Sequence, residues 1–296
     1  MSQERVLVTG AASPLGQAVG RRLKSEGHYA VGTIHSQTSN SDLPMFDSLL
    51  HVDLKDFATF RNLDVEFDSI VHVAALSDGT PTDLMQVTGI ATTWLADLAL
   101  RRGIRNFVHV SSMSVYGAVT VSEVSAQTEI RHSTPYGAAK WASECYLNSL
   151  NNRLPAVSVR SCGIVGQKSH RNFLAQAYTA MVNKKPQVCV SNPDFPFNNV
   201  IHEDTLADFL VYLALNHQSG FHAVPVGSSD PIPLRAVLKM ISERTHFQGV
   251  LDWIPTKNRP FSIDLSDAVK MGLRPLKTSD TICKWLDDAL GEPPRT

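Results

Sequence analysis

Tyr136 and Lys140, four residues apart in Pro135-Tyr136-Gly137-Ala138-Ala139-Lys140, carry a chemistry that neither has alone. On a helix this spacing puts both side chains on one face. A free tyrosine titrates near about 10 and is a poor base at neutral pH. A lysine cation one turn away stabilises the phenolate and brings the group towards working pH. Such a tyrosine exchanges a proton with an alcohol while a redox cofactor exchanges a hydride. Ser111-Ser112 closes the apolar run Asn106–Ser111, which reads as a strand, so Ser112 is placed where a substrate oxygen would be held against Tyr136. A Tyr-x-x-x-Lys pair by itself is equally at home in an ordinary amphipathic helix. Its weight comes from what surrounds it.

A second signal lies near the start of the chain. Val6-Leu7-Val8-Thr9-Gly10-Ala11-Ala12-Ser13-Pro14-Leu15-Gly16 joins a strand pattern to a helix pattern. Gly10 permits a sharp turn and Gly16 lets the helix pack closely, so the N–H groups around Ser13, Pro14 and Leu15 face a pyrophosphate. Ser13 stands where a third glycine is usual. The second strand ends Thr33-Ile34-His35-Ser36, without the acid that commonly grips the adenosine ribose. No acid occurs between Gly27 and Ser41, and no Lys or Arg between Lys24 and Lys55. With His35 and Ser36 as hydrogen-bond donors, the loop inclines to NADP over NAD.

The elements that must position these residues alternate regularly. Strand patterns at Arg5–Thr9, Tyr29–Ile34, Leu49–Asp53, Ser69–Ala74, Asn106–Ser111 and Ala156–Arg160 are separated by helical patterns at Pro14–Glu26, Thr82–Arg102 and Pro135–Asn151. His35–Phe46 reads as a loop. This order predicts an α/β Rossmann fold, a doubly wound parallel sheet with helices on both faces. The expected division is a dinucleotide-binding domain over 1–165 and a smaller, substrate-binding C-terminal lobe over 166–296, with some segments of the latter returning to the Rossmann domain.

Composition excludes several other classes. Of 296 residues 43% are hydrophobic and 19% charged, with Lys+Arg 27 against Asp+Glu 28. That balance argues against nucleic acid or an anionic membrane as partner. Leu206–Leu215 is too short to span a bilayer. Met1–Arg5 leaves no room for a leader, and Cys145, Cys162, Cys189 and Cys283 have no metal-like spacing, so a cytoplasmic protein with reduced thiols and no metal site is expected. The eleven histidines show no ligand spacing; His72, His109 and His202 read as structural, and Cys162 as a packing residue.

The ordered set of motifs resembles the extended short-chain dehydrogenase/reductases, the NAD-dependent epimerase/dehydratase family of sugar-nucleotide enzymes. The segments that carry the resemblance are Thr9-Gly10-x-x-Ser13-x-x-Gly16, Val52-Asp53-Leu54, Val71-His72-Val73-Ala74-Ala75 and Val110-Ser111-Ser112-Met113-Ser114-Val115-Tyr116-Gly117. Tyr136-x-x-x-Lys140, Val159-Arg160, Val165-Gly166, Val200-Ile201-His202-Glu203-Asp204-Thr205-Leu206-Ala207 and Arg259-Pro260 complete them. The resemblance implies that Ser112, Tyr136 and Lys140 form the catalytic triad, Lys140 also holding the nicotinamide ribose. It implies that Asp53 and Leu54 flank the adenine, that Ala74 and Ala75 line the cofactor cleft, and that Asn172 and Arg259 meet the substrate; Ser77, in the turn after the fourth strand, is a further candidate for substrate contact by its position. Helices 82–102 and 135–151 resemble a pair that forms a homodimer interface.

Departures from that pattern narrow the chemistry. Gln86 stands for the usual Asn, and Asn198 for an arginine of many nucleotide-sugar members. Met113 and Ser114 replace the acidic pair with which dehydratases move protons, which removes dehydration. The expected function is NAD(P)-dependent 4-epimerisation or 4-ketoreduction of a nucleotide sugar. NADPH-dependent reduction of a carbonyl compound without a nucleotide is the alternative, and a non-catalytic NAD(P)-sensing protein is a third reading.

Overall fold

The computed structural model describes residues 3–35, 42–61, 63, 65–131, 134–169, 172–254 and 259–291. In chain order its elements are β1 (Arg5–Thr9), α1 (Pro14–Ser25), β2 (Tyr29–Ile34), β3 (Ser48–His51), α2 (Phe57–Arg61), β4 (Ser69–His72), α3 (Pro81–Leu84), α4 (Ala91–Arg101), β5 (Asn106–Ser112), β6 (Glu123–Val124), α5 (Pro135–Leu150) and β7 (Ala156–Ser161). There follow β8 (Gly163–Val165), α6 (Phe173–Val182), β9 (Gln187–Val190), β10 (Pro196–Phe197), β11 (Val200–His202), α7 (Glu203–Leu215), β12 (Phe221–Val226), β13 (Ile232–Pro233), α8 (Leu234–Arg244), β14 (Val250–Trp253), β15 (Ser262–Ile263), α9 (Ser266–Lys270) and α10 (Thr278–Leu290). The chain divides into two units. One comprises Met1–Gly117, Glu129–Arg160 and Leu206–Val224; the other Ala118–Thr128, Ser161–Thr205 and Pro225–Thr296. No helix among the described residues is long and apolar enough to cross a membrane.

Seven strands form one sheet in the order β12-β7-β5-β4-β1-β2-β3. β1 pairs in parallel with β2 and β4, β2 with β3, and β4 with β5. Parallel strands separated by helices produce this doubly wound arrangement, and the carboxyl ends of β1, β4 and β5 share one edge. The register sets Thr9 beside His72 and His72 beside His109, so these three lie in one row across the sheet. Leu7, Val31, Ile70 and Phe107 form a core with Leu95 and Ala99 of α4 and Leu147 of α5. The unbroken apolar runs of these strands are what a sheet covered on both faces requires.

Three elements differ from the sequence expectation by more than a single residue, each for a local reason. The third strand ends at His51 rather than Asp53, because the Asp53 carboxylate turns back to accept the Lys55 N–H at 2.8 Å. β4 ends at His72 rather than Ala74, whose N–H bonds the Thr9 side chain instead of a strand. The helical stretch expected over 82–102 is not one regular helix: Met85–Ile90 widens into a π-helical turn between α3 and α4. That turn presents the Thr88 carbonyl to the hydroxyls of Thr92 and Ser143, both at 2.9 Å.

The second unit is built from short pairs. β8 runs parallel to β11, β9 to β14 and β6 to β15, while β10 and β13 are antiparallel. Its own core gathers Leu174, Phe197, Leu238, Ile241 and Trp285.

Candidate active site

Gly10 follows β1 with φ +71°, a left-handed turn that any side chain would strain, and a Cβ there would sit 3.0 Å from the Ala74 Cα. Gly16 is closer still, since an added Cβ would lie 2.2 Å from the Gly10 carbonyl oxygen. Ser13 caps α1: its Oγ accepts the Gly16 N–H at 3.1 Å and donates to the Gly10 carbonyl at 2.7 Å. Pro14 has no N–H and the Gly16 amide is engaged by the cap. The Leu15 amide is therefore the first-turn donor left at the positive end of α1. A bare backbone turn with the Leu15 amide at the helix start fits the pyrophosphate of a dinucleotide.

Ala74 is fixed from the sheet side by a directed chain of hydrogen bonds. Its N–H donates to Thr9 Oγ1 at 3.1 Å, Thr9 Oγ1 lies 2.7 Å from His72 Nδ1, and His72 Nε2 lies 2.9 Å from Thr92 Oγ1. Thr92 donates to the Thr88 carbonyl, which can only accept, so Thr92 receives its other bond from His72 Nε2–H. Thr9 then donates to His72 Nδ1, and His72 is neutral. Burial, with the Lys140 charge second, pushes its pKa down to about 3.

At the end of β2, Ile34 is buried and His35 is exposed, its Nε2 3.8 Å from Asp53 Oδ1. Leu54 leans on the core and Ala75 and Ser77 are exposed. Ser36 lies outside the described residues.

The tyrosine-bearing helix begins at a Thr134 cap, whose Oγ1 accepts the Gly137 N–H at 3.0 Å, with Pro135 in the first turn. This turn rests directly on the turn Met113–Tyr116 that follows β5: a Cβ on Gly137 would lie 2.4 Å from the Ser114 carbonyl oxygen. The glycine between Tyr136 and Ala138 thus lets the end of β5 and the start of α5 meet. Ser112 is half-buried, its Oγ accepting the Ser114 N–H and donating to Ser114 Oγ, both at 3.1 Å. Tyr136 is half-buried as well.

Lys140, one turn on, is only 1% exposed. Its Nζ donates to the Val110 carbonyl at 2.6 Å and lies 3.4 Å from His109 Nε2. Burial holds its pKa down to about 7, with Glu144 pulling the other way. Glu144 is itself buried and bound by Arg160, whose Nη2 is 2.7 Å from Oε2 and whose Nε is 3.2 Å from both carboxylate oxygens. Ser111 Oγ donates to Glu144 Oε1 at 2.5 Å, and Arg160 Nη1 donates to the Tyr116 hydroxyl at 2.8 Å. One ion pair therefore ties β5, β7 and α5 together around the residues singled out for chemistry.

The model of the NAD-dependent epimerase/dehydratase family matches residues 6–222. The chain belongs to that family. It is 35% identical over 167 residues to a UDP-glucose 4-epimerase of Mycolicibacterium smegmatis, covering 50% of this chain and 51% of that enzyme, so it spans about half of that relative's length. It is 22% identical over 287 residues to GDP-L-fucose synthase 1 of Arabidopsis thaliana, covering 90% of this chain and 86% of that one. In fold it is similar to the Bordetella bronchiseptica enzyme WbmG solved with NAD, at a TM-score of 0.84 and 17% identity, with 98% and 95% of the two chains covered.

In this epimerase/dehydratase-family chain the remaining expected substrate residues fall in the second unit. Asn172 caps α6, its Oδ1 accepting the Ala175 N–H at 2.8 Å and its Nδ2 donating to the Ile164 carbonyl at 2.6 Å. Arg259 is exposed and donates to the Thr120 carbonyl. Asn198 is buried, its Nδ2 donating to the Ile263 carbonyl at 2.9 Å and its Oδ1 accepting the Ile263 N–H at 2.8 Å. It acts as a backbone mimic for β15. Burial raises the Cys162 thiol far above its ordinary range, which disfavours the thiolate.

Sequence reasoning left out a cavity of about 560 Å³ in the second unit, walled by Phe173, Phe195, Phe197 and Phe261 with Val188 and Leu234. It also left out the Glu144–Arg160 pair, although Glu144, four residues past Lys140, is readable as the same helix face. His202, Asp204 and Asp288 converge across 86 residues, with His202 Nε2 2.9 Å from Asp288 Oδ2. Lys284 Nζ, 2.9 Å from Asp204 Oδ2, supplies the cation of that cluster.

Proposed function

We propose that the chain is an NAD(P)-dependent oxidoreductase or epimerase acting at the 4-position of a nucleotide-linked sugar, with Tyr136 as acid and base. The observation that carries this reading is the buried Lys140 amino group one helical turn from Tyr136, in a chain of this family, on a helix start packed against the Ser112 turn. The bound dinucleotide supplies the acceptor and donor of hydride. Gly10, Ser13, Pro14, Leu15 and Gly16 would form the turn around its pyrophosphate, with the Leu15 amide as donor; Asp53 and Leu54 would flank its adenine, and His35 and Ser36 its ribose, with Ala74 and Ala75 beside it. Tyr136 takes the proton of the sugar hydroxyl on its phenolic oxygen and returns it when the carbonyl is reduced. Ser112 holds that same oxygen by rotating its hydroxyl away from Ser114. Lys140 favours the phenolate by its charge and holds the nicotinamide ribose through its remaining proton.

The missing acid at Ile34 favours NADP over NAD. A second reading, reduction of a carbonyl compound that carries no nucleotide, is favoured by Asn198, which stands where many relatives have arginine and is engaged by β15. Homodimerisation through α4 and α5 is part of the proposal. Leu95 and Leu98 belong to the chain's own core, and Trp94 lies against Phe57 and Phe60, so the contact would rest on half-buried Trp141 and on Ile90, 38% exposed. Light scattering that finds only monomer at micromolar concentration removes it.

The deciding experiment is mass spectrometry of the small molecules released on denaturing freshly purified protein. Near-stoichiometric NAD⁺ supports epimerisation with a retained cofactor. Empty protein that binds NADPH more tightly than NADH supports reduction. Protein that neither retains nor binds a nicotinamide dinucleotide overturns the reading.

A further inference from the structure

We propose that His109 is a positioning residue for Lys140: its neutral ring accepts one ammonium proton at Nε2 and so aims the remaining proton out of the sheet. This rests on the reading of Lys140 given above and adds a residue to it. The register row Thr9–His72–His109 places the imidazole under the helix that carries Lys140. Lys140 Nζ is 3.4 Å from His109 Nε2, and His109 Nδ1 is 3.0 Å from Ser158 Oγ. When Lys140 is charged it can only donate, so Nε2 then accepts and the ring proton sits on Nδ1, directed at Ser158. The His72 ring stacks on the other side at 5.8 Å with 25° between planes, its two nitrogens held by Thr9 and Thr92.

An ammonium has three protons. Val110 carbonyl and His109 Nε2 take two of them from the inner side, which leaves one for a ribose hydroxyl or the Tyr136 phenolate. A protonated His109 would set a second cation against Lys140, so acceptance requires the neutral ring. Burial, the Lys140 charge and His72 together keep the His109 pKa well below its ordinary value. The titratable groups around Lys140 are His109 from β5, His72 behind it from β4, Tyr136 and Glu144 from α5, and Arg160 from β7, which holds Glu144. Of these, His109 is the acceptor that bonds the ammonium. An apolar residue there would leave the ammonium one acceptor in a buried site, and the charged form would be less favoured. A phenylalanine is worse than empty, because a ring in that plane turns its positive edge to the cation.

The test compares His109→Phe with His109→Gln, whose amide oxygen reaches the place of Nε2. The direct readout is the titration of isotope-labelled lysine ε-carbons by NMR, with Lys140 assigned from Lys140→Met. The Lys140 midpoint is expected to fall by about one pH unit or more in His109→Phe and to recover in His109→Gln. NADH binding, followed by fluorescence, should lose its affinity at correspondingly lower pH in the first variant and not in the second. Should His109→Phe fold poorly, His109→Leu removes the same acceptor within a smaller volume. A Lys140 midpoint that stays in place in either apolar variant, or a glutamine variant that behaves like phenylalanine, overturns the proposal. Failure of the catalytic reading shows elsewhere: Tyr136→Phe would keep turnover while the Lys140 titration still answered to His109.

Discussion

At the scale of single residues, the environment of Lys140 sets two expectations. Tyr136→Phe keeps the ring and removes the proton-transferring oxygen, so turnover of the substrate should fall by about 10²–10⁴-fold, the usual worth of a positioned acid–base group, with the melting temperature nearly unchanged. Steady-state kinetics beside a thermal melt check this, and equal turnover in both proteins excludes Tyr136 from the chemistry. Lys140 itself is a cost to folding when charged. Its pKa falls from 10.5 in the unfolded chain to about 7 in the fold, so between those values the unfolded chain binds a proton that the native chain does not. Stability from this site therefore rises with pH across that window. Lys140→Met should gain most in melting temperature below pH 7 and lose that advantage as pH approaches 10.5. An advantage independent of pH would mean that the lysine is not held down by burial.

At the scale of elements, the first turn of α5 is the joint on which the site depends. Gly137 has no left-handed backbone to protect; its role is proximity, with the Ser114 carbonyl only 2.4 Å from where a Cβ would stand. In an exposed helix, Gly→Ala gains about 1 kcal/mol. Here Gly137→Ala should push the helix start off the turn after β5, with at least a tenfold loss of turnover and no gain in stability by urea unfolding. A variant that is more stable and fully active would show that the close approach does not matter. The π-helical turn Met85–Ile90 is an element that pattern reading missed. Its apolar spacing still reads as one helix from 82 to 102, and within the widened turn the Thr88 carbonyl accepts the hydroxyls of Thr92 and Ser143.

For the whole molecule, buried neutral histidines set the response to acid. His72, His109 and His202 all sit below the ordinary 6.5, each chiefly through burial, with His72 at about 3. Their unfolded forms take up protons that the native forms refuse, so stability should fall as pH drops below 6.5, and for His72 until about 3. Thermal melts across that range should show it, and His109→Gln, neutral at every pH, should flatten the slope by its share. An unchanged slope in that variant would mean that His109 is charged in the fold.

Much of this was legible in the chain itself. The strand–helix alternation, the glycine turn after β1, and the shared face of Tyr136 and Lys140 follow from local periodicities of two and 3.6 residues, which the polypeptide carries wherever it goes. The family motifs follow for the same reason, since each is a run of neighbours. Tertiary structure decided what lies between segments far apart in sequence. The register of β4 on β5 stacked His72 on His109, the turn of α5 buried Lys140 over them, and Asn198 became a partner for the Ile263 backbone. Burial and charge at a point are sums over everything packed around it, and that sum exists only once the sheet has formed.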